Sequence, residues 1–381
     1  MNEGLCLQAF FLIISDTFPF RLTNACPCGY NLLMSKLVCK DFSVSYFGYD
    51  AAINNVTTTF SDGINVVFAG EKGGKTTFLK ALAGVIPHSG ELFLDDVNID
   101  DVPLKDRDFQ MLFDDYALFS RRSVRYNLEY PLKIRKMAKE ERRALIESVA
   151  PLFDLDIMID APVYRLNEWL KVALVLCRAY MRRAKVLLID NVFSKLSVAE
   201  RREAFLRFIP LFRDAIVIYA TDDKWEAAAL SREIKHLTCG YLMQEGSQAD
   251  FVTKARALSV FTAWSEYPSI LPCTVRENGM EFFGVSFENE IKGKVSAYIG
   301  KNVIAGVLPQ DISMDEAGFE AEIIGRFYHN DRILYCAERD NARLYFYADE
   351  DLSDTSTVKL SIAHVSGVFD ALNERNIMEV I

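Results

Sequence analysis

The chain lacks a long hydrophobic run. Its most apolar early stretch, Leu7 to Ser15 (LQAFFLIIS), falls well short of the ~20 apolar residues that a membrane-spanning helix needs. The positive lead of a secretory signal is missing too, because Glu3 precedes that stretch and the first basic residue is Arg21. Residues 1–33 are therefore expected to be an N-terminal extension, a mis-assigned upstream start ahead of a domain that opens at Met34. Nor is there a surplus of positive charge. The 43 Lys and Arg residues stand against 53 Asp and Glu, a formal net charge of −10, which argues against nucleic acid as a partner. Histidine is scarce: His88, His236, His329 and His364 lie far apart and near no pair of cysteines. Of eight cysteines only Cys26 and Cys28 are close together, so no transition-metal site is expected and the thiols suit a reducing cytosol.

What is present is an ordinary globular composition, half hydrophobic and a quarter charged, over 381 residues, which suffices for two domains. From Met34 the pattern is regular. KLVCKDFSVSYF alternates as a strand, VTTTF follows, and Asp62-Gly63 turns the chain into the apolar strand INVVFAG. A glycine-rich turn leads into KTTFLKALAG, whose Phe78, Leu79, Leu82 and Ala83 recur at helical spacing and which Gly84 ends. Residues 123–183 read as helical, KVLLID as a second buried strand, and a helix over about 198–212 precedes the strand AIVIYA. That alternation predicts a parallel α/β sheet. After residue 250 short alternating segments separated by Gly, Asn and Asp predict a small all-β, barrel-like domain. The expected division is 34–250 and 251–381.

The segment AGEKGGKTT reads as a phosphate-binding loop, either from Ala69 in a pattern that tolerates alanine first, or from Gly70 with one residue missing. Backbone N–H groups around Gly70, Gly73 and Gly74 and the helix start at Thr77 would face phosphates. Lys75 would reach the outer phosphate oxygens, and Thr76 would ligate magnesium.

Further landmarks follow in order, and together they resemble the ATPase subunits of ABC transporters over residues 36–381. Phe47 stands where the family stacks an aromatic on adenine, although an edge-strand core aromatic is an equal reading. MLFDDYALFS resembles the family's MVFQDYALFP, with Asp114 in place of the glutamine that contacts magnesium and water. RLNEWLKVALVLCRA aligns with the signature LSGGQxQRVALARA, so Asn167, Glu168, Trp169 and Leu170 replace Ser, Gly, Gly and Gln. KVLLIDNVFSKLS resembles KVLLLDEPLSALD. Asp190 keeps the magnesium-holding acid, Asn191 replaces the glutamate that polarises water, and Ser197 replaces an aspartate. YATDDKWEAAAL resembles YVTHDQEEALAL, with Asp222 in place of the histidine that senses the γ-phosphate. NVIAGVLPQDI and HVSGVFDALNERNI resemble segments of sugar-importer ATPases with an OB-like regulatory domain.

The resemblance implies a P-loop α/β core with a helical subdomain and a C-terminal OB-like domain. It implies ATP and Mg2+ as cofactors, and permease subunits and a second ATPase subunit, in a homo- or heterodimer, as partners. It places the chain peripherally on the cytoplasmic face of a membrane, serving import of sugars or related small polar solutes. An amide at 191 cannot take a proton from water, a general base being worth about 10²–10⁴ in rate. With Asp114, Asp222 and the altered signature, hydrolysis is expected to be weak or lost. The alternative expectation is a non-catalytic regulatory or structural subunit beside an intact ATPase.

Overall fold

The structure is a computed structural model that describes residues 35–46, 52–288, 293–348, 351–352 and 355–378. The chain divides into two compact units, one ending at Glu245 and the other taking up Gly246 to the C-terminus.

The first unit is built on ten strands: β1 (Lys36–Val44), β2 (Ile53–Ser61), β3 (Gly63–Phe68), β4 (Ser89–Leu94), β5 (Val97–Asn98), β6 (Phe109–Leu112), β7 (Val186–Asp190), β8 (Ile216–Thr221), β9 (Ile234–Thr238) and β10 (Tyr241–Gly246). Their order across the sheet is β5-β4-β1-β2-β10-β9-β3-β8-β7-β6. β6, β7, β8, β3 and β9 run parallel, whereas β1 pairs antiparallel with β2 and β4. All five residues of β7 and all six of β8 are buried, as expected of parallel strands covered on both faces. The register fixes the site: Phe68 of β3 lies opposite Thr221 of β8, and Asp190 of β7 opposite Ala220. Three carboxyl ends thus open at one edge, where ligands bind in open α/β sheets.

Six helices accompany these strands among the described residues: α1 (Lys75–Leu82), α2 (Val124–Ile134), α3 (Lys139–Val149), α4 (Glu168–Arg182), α5 (Val198–Arg207) and α6 (Lys224–Leu230). α1 buries Phe78, Leu79, Ala81 and Leu82 against the sheet, and Gly84 ends its turn at φ +80°, a left-handed conformation that glycine adopts without strain. The helix expected over about 198–212 is shorter. It stops at Arg207, and Ile209–Phe212 forms a 3₁₀ turn around Pro210, which has no N–H to continue the α-helical ladder. Residues 123–183 are likewise broken into α2, α3 and α4, with 3₁₀ turns at Ala150–Phe153 and Val163–Arg165 between the last two. One of them turns at Asp154 with φ +55°.

The second unit opens with two short helices, Gln248–Thr253 and Leu258–Trp264, ahead of the expected strands. Ser247 and Asp250 form a reciprocal capping box on the first of these. A five-stranded antiparallel sheet includes Ser269–Arg276 paired with Asn302–Val307, and a four-stranded one is centred on Ile312–His329 and Arg332–Arg339. Leu271, Phe282, Val303, Leu344, Phe346 and Leu360 share one core between the two sheets. The chain is therefore an α/β P-loop unit followed by a β-rich one.

Candidate functional site

The loop after β3 closes tightly before α1 begins. Gly73 N–H donates to the Gly70 carbonyl at 3.1 Å, and Gly74 takes φ +99° as the N-cap of α1. A side chain on Gly73 would stand 2.7 Å from Ala69 Cβ, and one on Gly74 2.9 Å from Ile53 Cδ1. Gly70, by contrast, faces open space. The first N–H groups of a helix have no partner within it, so the open face of this loop presents donors and a positive helix end to an anion. These features fit the phosphates of a nucleotide.

Lys75 is folded over that loop. Its Nζ donates to the carbonyls of Ala69 at 2.5 Å and Gly70 at 3.1 Å, and it lies 3.8 Å from Asp222 Oδ2. Burial pulls the lysine below its ordinary pKa, while Asp222, Asp190 and Glu71 pull it back up. Asp190 is buried at the end of β7, and Thr76 at the start of α1 is among the groups that act on its carboxyl. Burial raises its carboxyl, Asp114 adds to the rise, and Thr76, Lys80 and Lys75 oppose it. A hydroxyl beside a carboxylate is a hard-oxygen pair of the kind magnesium takes, so Thr76 and Asp190 fit that ion as well.

The remaining sequence-predicted residues have different surroundings. Asn191 follows Asp190 at φ +52°, a left-handed conformation that Asn tolerates better than most side chains, and its N–H donates to the Ala220 carbonyl at 3.3 Å. Asp222 follows Thr221 at the end of β8 and is exposed. Asp114 lies on the surface of its loop, where its carbonyl accepts from Lys195 Nζ at 2.8 Å. Ser197 serves as a helix cap: it accepts from Glu200 N–H at 3.3 Å while Glu200 Oε2 accepts from Ser197 N–H at 2.9 Å.

The altered signature segment forms the start of α4. Asn167 caps it by accepting from Leu170 N–H at 2.9 Å. Glu168 pairs with Lys171 at 2.7 Å, which with Lys195 holds its carboxyl below the usual range, and its Oε2 is buried near the Tyr116 hydroxyl. Trp169 turns onto Phe208, ring centroids 5.2 Å apart, with Arg207 5.9 Å from its ring. Both side chains are thus engaged within their own unit, and Glu168 carries a compensated charge. Farther along α4, Arg178 donates to the carbonyls of Ala117 and Tyr116 at 2.9 and 3.0 Å, tethering the Asp114 loop to this helix.

Phe47 lies outside the described residues. Its neighbour Tyr46 is exposed and hydrogen-bonds Thr77 through Oη at 3.3 Å, so an aromatic does stand beside the loop. Two further features escaped the sequence reading. Cys239 and Gly240 turn with φ +49° and +79°, and Gly240 N–H donates to the Gly73 carbonyl at 3.2 Å while its own carbonyl accepts from Asn54 N–H at 2.9 Å. Behind Asp222, Glu226 accepts from Tyr219 at 2.7 Å, Thr221 at 2.8 Å and Arg201 at 2.6 Å. Gly240 follows an Xaa-Gly turn signal, but nothing local in sequence reports a side chain meeting partners on β8 and α5.

Comparison with known proteins agrees with this geometry. Residues 53–194 match the family model described as ABC transporter. The trehalose/maltose import ATP-binding protein MalK of Thermococcus litoralis is 30% identical over 283 residues, covering 70% of this chain and 76% of that protein. The Fe(3+) ions import ATP-binding protein FbpC of Escherichia coli is 28% identical over 280 residues, covering 72% and 79%. Among solved structures, cbiO1 from Clostridium perfringens, part of the ABC transporter complex cbiONQ, shares the fold with a TM-score of 0.53 at 19% identity, covering 57% of this chain and 91% of that one.

Proposed function

The chain belongs to the ATP-binding subunits of ABC transporters, and from that membership we propose that it binds ATP with Mg2+ while hydrolysing it weakly or not at all. Lys75, Thr76, Thr77 and the glycine loop would hold the phosphates, Thr76 and Asp190 the magnesium, and Tyr46 or Phe47 the base. Magnesium, when bound, supplies positive charge against the phosphates. The single observation that carries the reading is the Lys75–Asp222 ion pair at 3.8 Å: the residue retained to hold phosphate faces a carboxylate where a hydrogen-bond donor is needed. Asn191 compounds it, since an amide is no general base.

Two copies paired in the family's manner would each present the altered signature to the other's loop, so a partner ATPase with intact residues suits the chain better. Docking on permease subunits is supported by the surface beyond the Asp114 loop. There Phe119 and Tyr130, each 41% exposed, pack edge-on at 4.8 Å. Asn127 pins Phe119 by accepting its N–H at 2.8 Å. Among the described residues no helix is long and apolar enough to cross a membrane. Attachment at the cytoplasmic face would then come through such subunits. The C-terminal resemblance and the sugar-importing relative favour sugars or related small polar solutes as cargo, and the iron-importing relative makes a transport assay the deciding measurement.

The test is ATP binding and phosphate release by the purified chain, alone and with a complete ATPase partner. Micromolar binding without turnover is the expected result. Brisk turnover by the chain alone, abolished in Lys75→Ala, would overturn the proposal. A purely structural or regulatory subunit is the second reading, and failure to bind nucleotide in either setting would favour it.

A further inference from the structure

We infer that this site selects nucleoside diphosphates over triphosphates, with Asp222 as the residue that sets the preference. The inference rests on the nucleotide-binding reading above and deepens it.

The donors that would hold the two inner phosphates are main-chain groups of the loop and the first turn of α1. The outer position differs. Lys75 is already engaged by two carbonyls and by Asp222 Oδ2. Its side chain is 11% exposed, whereas that of Asp222 is 46% exposed, so the carboxylate sits on the solvent side of the ammonium. A third phosphate approaching Lys75 must displace Asp222 or share the lysine with it.

Asp222 is also held in place from both sides. Thr221 precedes it, and its carbonyl accepts from Ala69 N–H at 3.2 Å, binding this strand end to the phosphate loop. Asp223 follows, capping α6 by accepting from Trp225 N–H at 2.8 Å and Glu226 N–H at 3.2 Å, with its own N–H on Thr221 Oγ1 at 3.1 Å. Arg201 braces the same turn from α5 through Asp223 at 3.5 Å and Glu226 at 2.6 Å. The backbone that carries Asp222 is therefore anchored one residue to each side.

Charge points the same way. Asp222, Asp190 and Glu71 act on Lys75, and Asp114 acts on Asp190, against Lys75 and Lys80 as the opposing cations. A terminal phosphate adds negative charge to a cluster already rich in carboxylates, while a diphosphate, which Lys75 would still attract, brings one phosphate fewer toward Asp222. Repulsion at such short range is weakly screened and large enough to move affinity by about tenfold or more.

The experiment is calorimetric titration of the full chain with ADP and with the nonhydrolysable β,γ-imido analogue of ATP, in EDTA and again with Mg2+. ADP is expected to bind at least about tenfold more tightly in EDTA, with the gap narrowing when Mg2+ is present. Asp222→Asn, at an exposed position, is expected to bring the two within about threefold by strengthening the triphosphate. Lys75→Ala should weaken both. Equal affinities in the wild-type chain, or an unchanged ratio in Asp222→Asn, would overturn the inference while leaving nucleotide binding standing. If neither nucleotide binds the wild-type chain or Asp222→Asn, the nucleotide-binding reading falls as well.

Discussion

Glu226 and Tyr219 meet inside the first unit through a 2.7 Å hydrogen bond from the phenol to the carboxylate, seven residues apart in sequence. Burial and the facing carboxylate push the Tyr219 hydroxyl well above its ordinary pKa, so it remains a donor at any pH the protein meets. The same carboxylate neutralises Arg201, so one buried group ties β8, α5 and the Asp222 turn together.

Removing that carboxylate should therefore be costly. Glu226→Ala leaves Arg201 without its closest anion and two hydroxyls without their acceptor, a loss of about 3 kcal/mol. Glu226→Gln, which keeps the acceptor, should lose less. Urea denaturation of both variants checks the order.

Trp169 stands where the family has glycine, yet restoring the glycine should harm this chain. Trp169→Gly gives up the packing on Phe208, worth about 1 kcal/mol, and places a poor helix former in the first turn of α4, about 1 kcal/mol more. A lower melting temperature with no gain in phosphate release is the expected pair of results.

Asn191→Glu supplies the missing base at a left-handed residue, where Glu is less at ease than Asn by about 1 kcal/mol. On its own it should leave turnover near background, because Asp222 beside Lys75 would still oppose an outer phosphate. Combined with Asp222→His it should raise phosphate release measurably, and equal rates for single and double variants would show that Asp222 is no obstacle.

His236 makes the stability of the fold depend on pH. It is buried on β9, and burial holds its pKa down to about 4 from an ordinary 6.5. The unfolded chain takes up the proton first, so the stability is whole above about pH 6.5 and is lost as pH falls toward about 4. The slope is about 1.4 kcal/mol per unit, or about 2 kcal/mol between pH 6.5 and pH 5. Denaturation midpoints at those two pH values should differ less in His236→Leu than in the wild-type chain.

The glycine loop and its flanking strand and helix were legible because they are local. Asp62-Gly63, the apolar run to Phe68 and the glycines at 70, 73 and 74 each act on neighbours in sequence. Asp190 was legible for the same reason, as the last residue of an apolar strand. The helix over 198–212 was overextended because its apolar spacing continues past Pro210, where the missing N–H prevails over periodicity. The roles of Glu168 and Trp169 were hidden for a different reason. Phe208, on which Trp169 packs, and Lys195, which acts on Glu168 beside the local Lys171, arrive from segments about forty and thirty residues away, so the sequence showed bulk and charge but not where they point.

The hydrogen bond from Gly240 to the Gly73 carbonyl gives the protein a natural reporter position. Cys239, next to it, is exposed, whereas Cys39, Cys177, Cys273 and Cys336 are buried. A thiol-reactive fluorophore on Cys239, with Cys6, Cys26 and Cys28 replaced by serine, would ride on backbone that is fastened to the phosphate loop. Occupancy of that loop would then be read as a change in emission, without a radiolabel and without turnover.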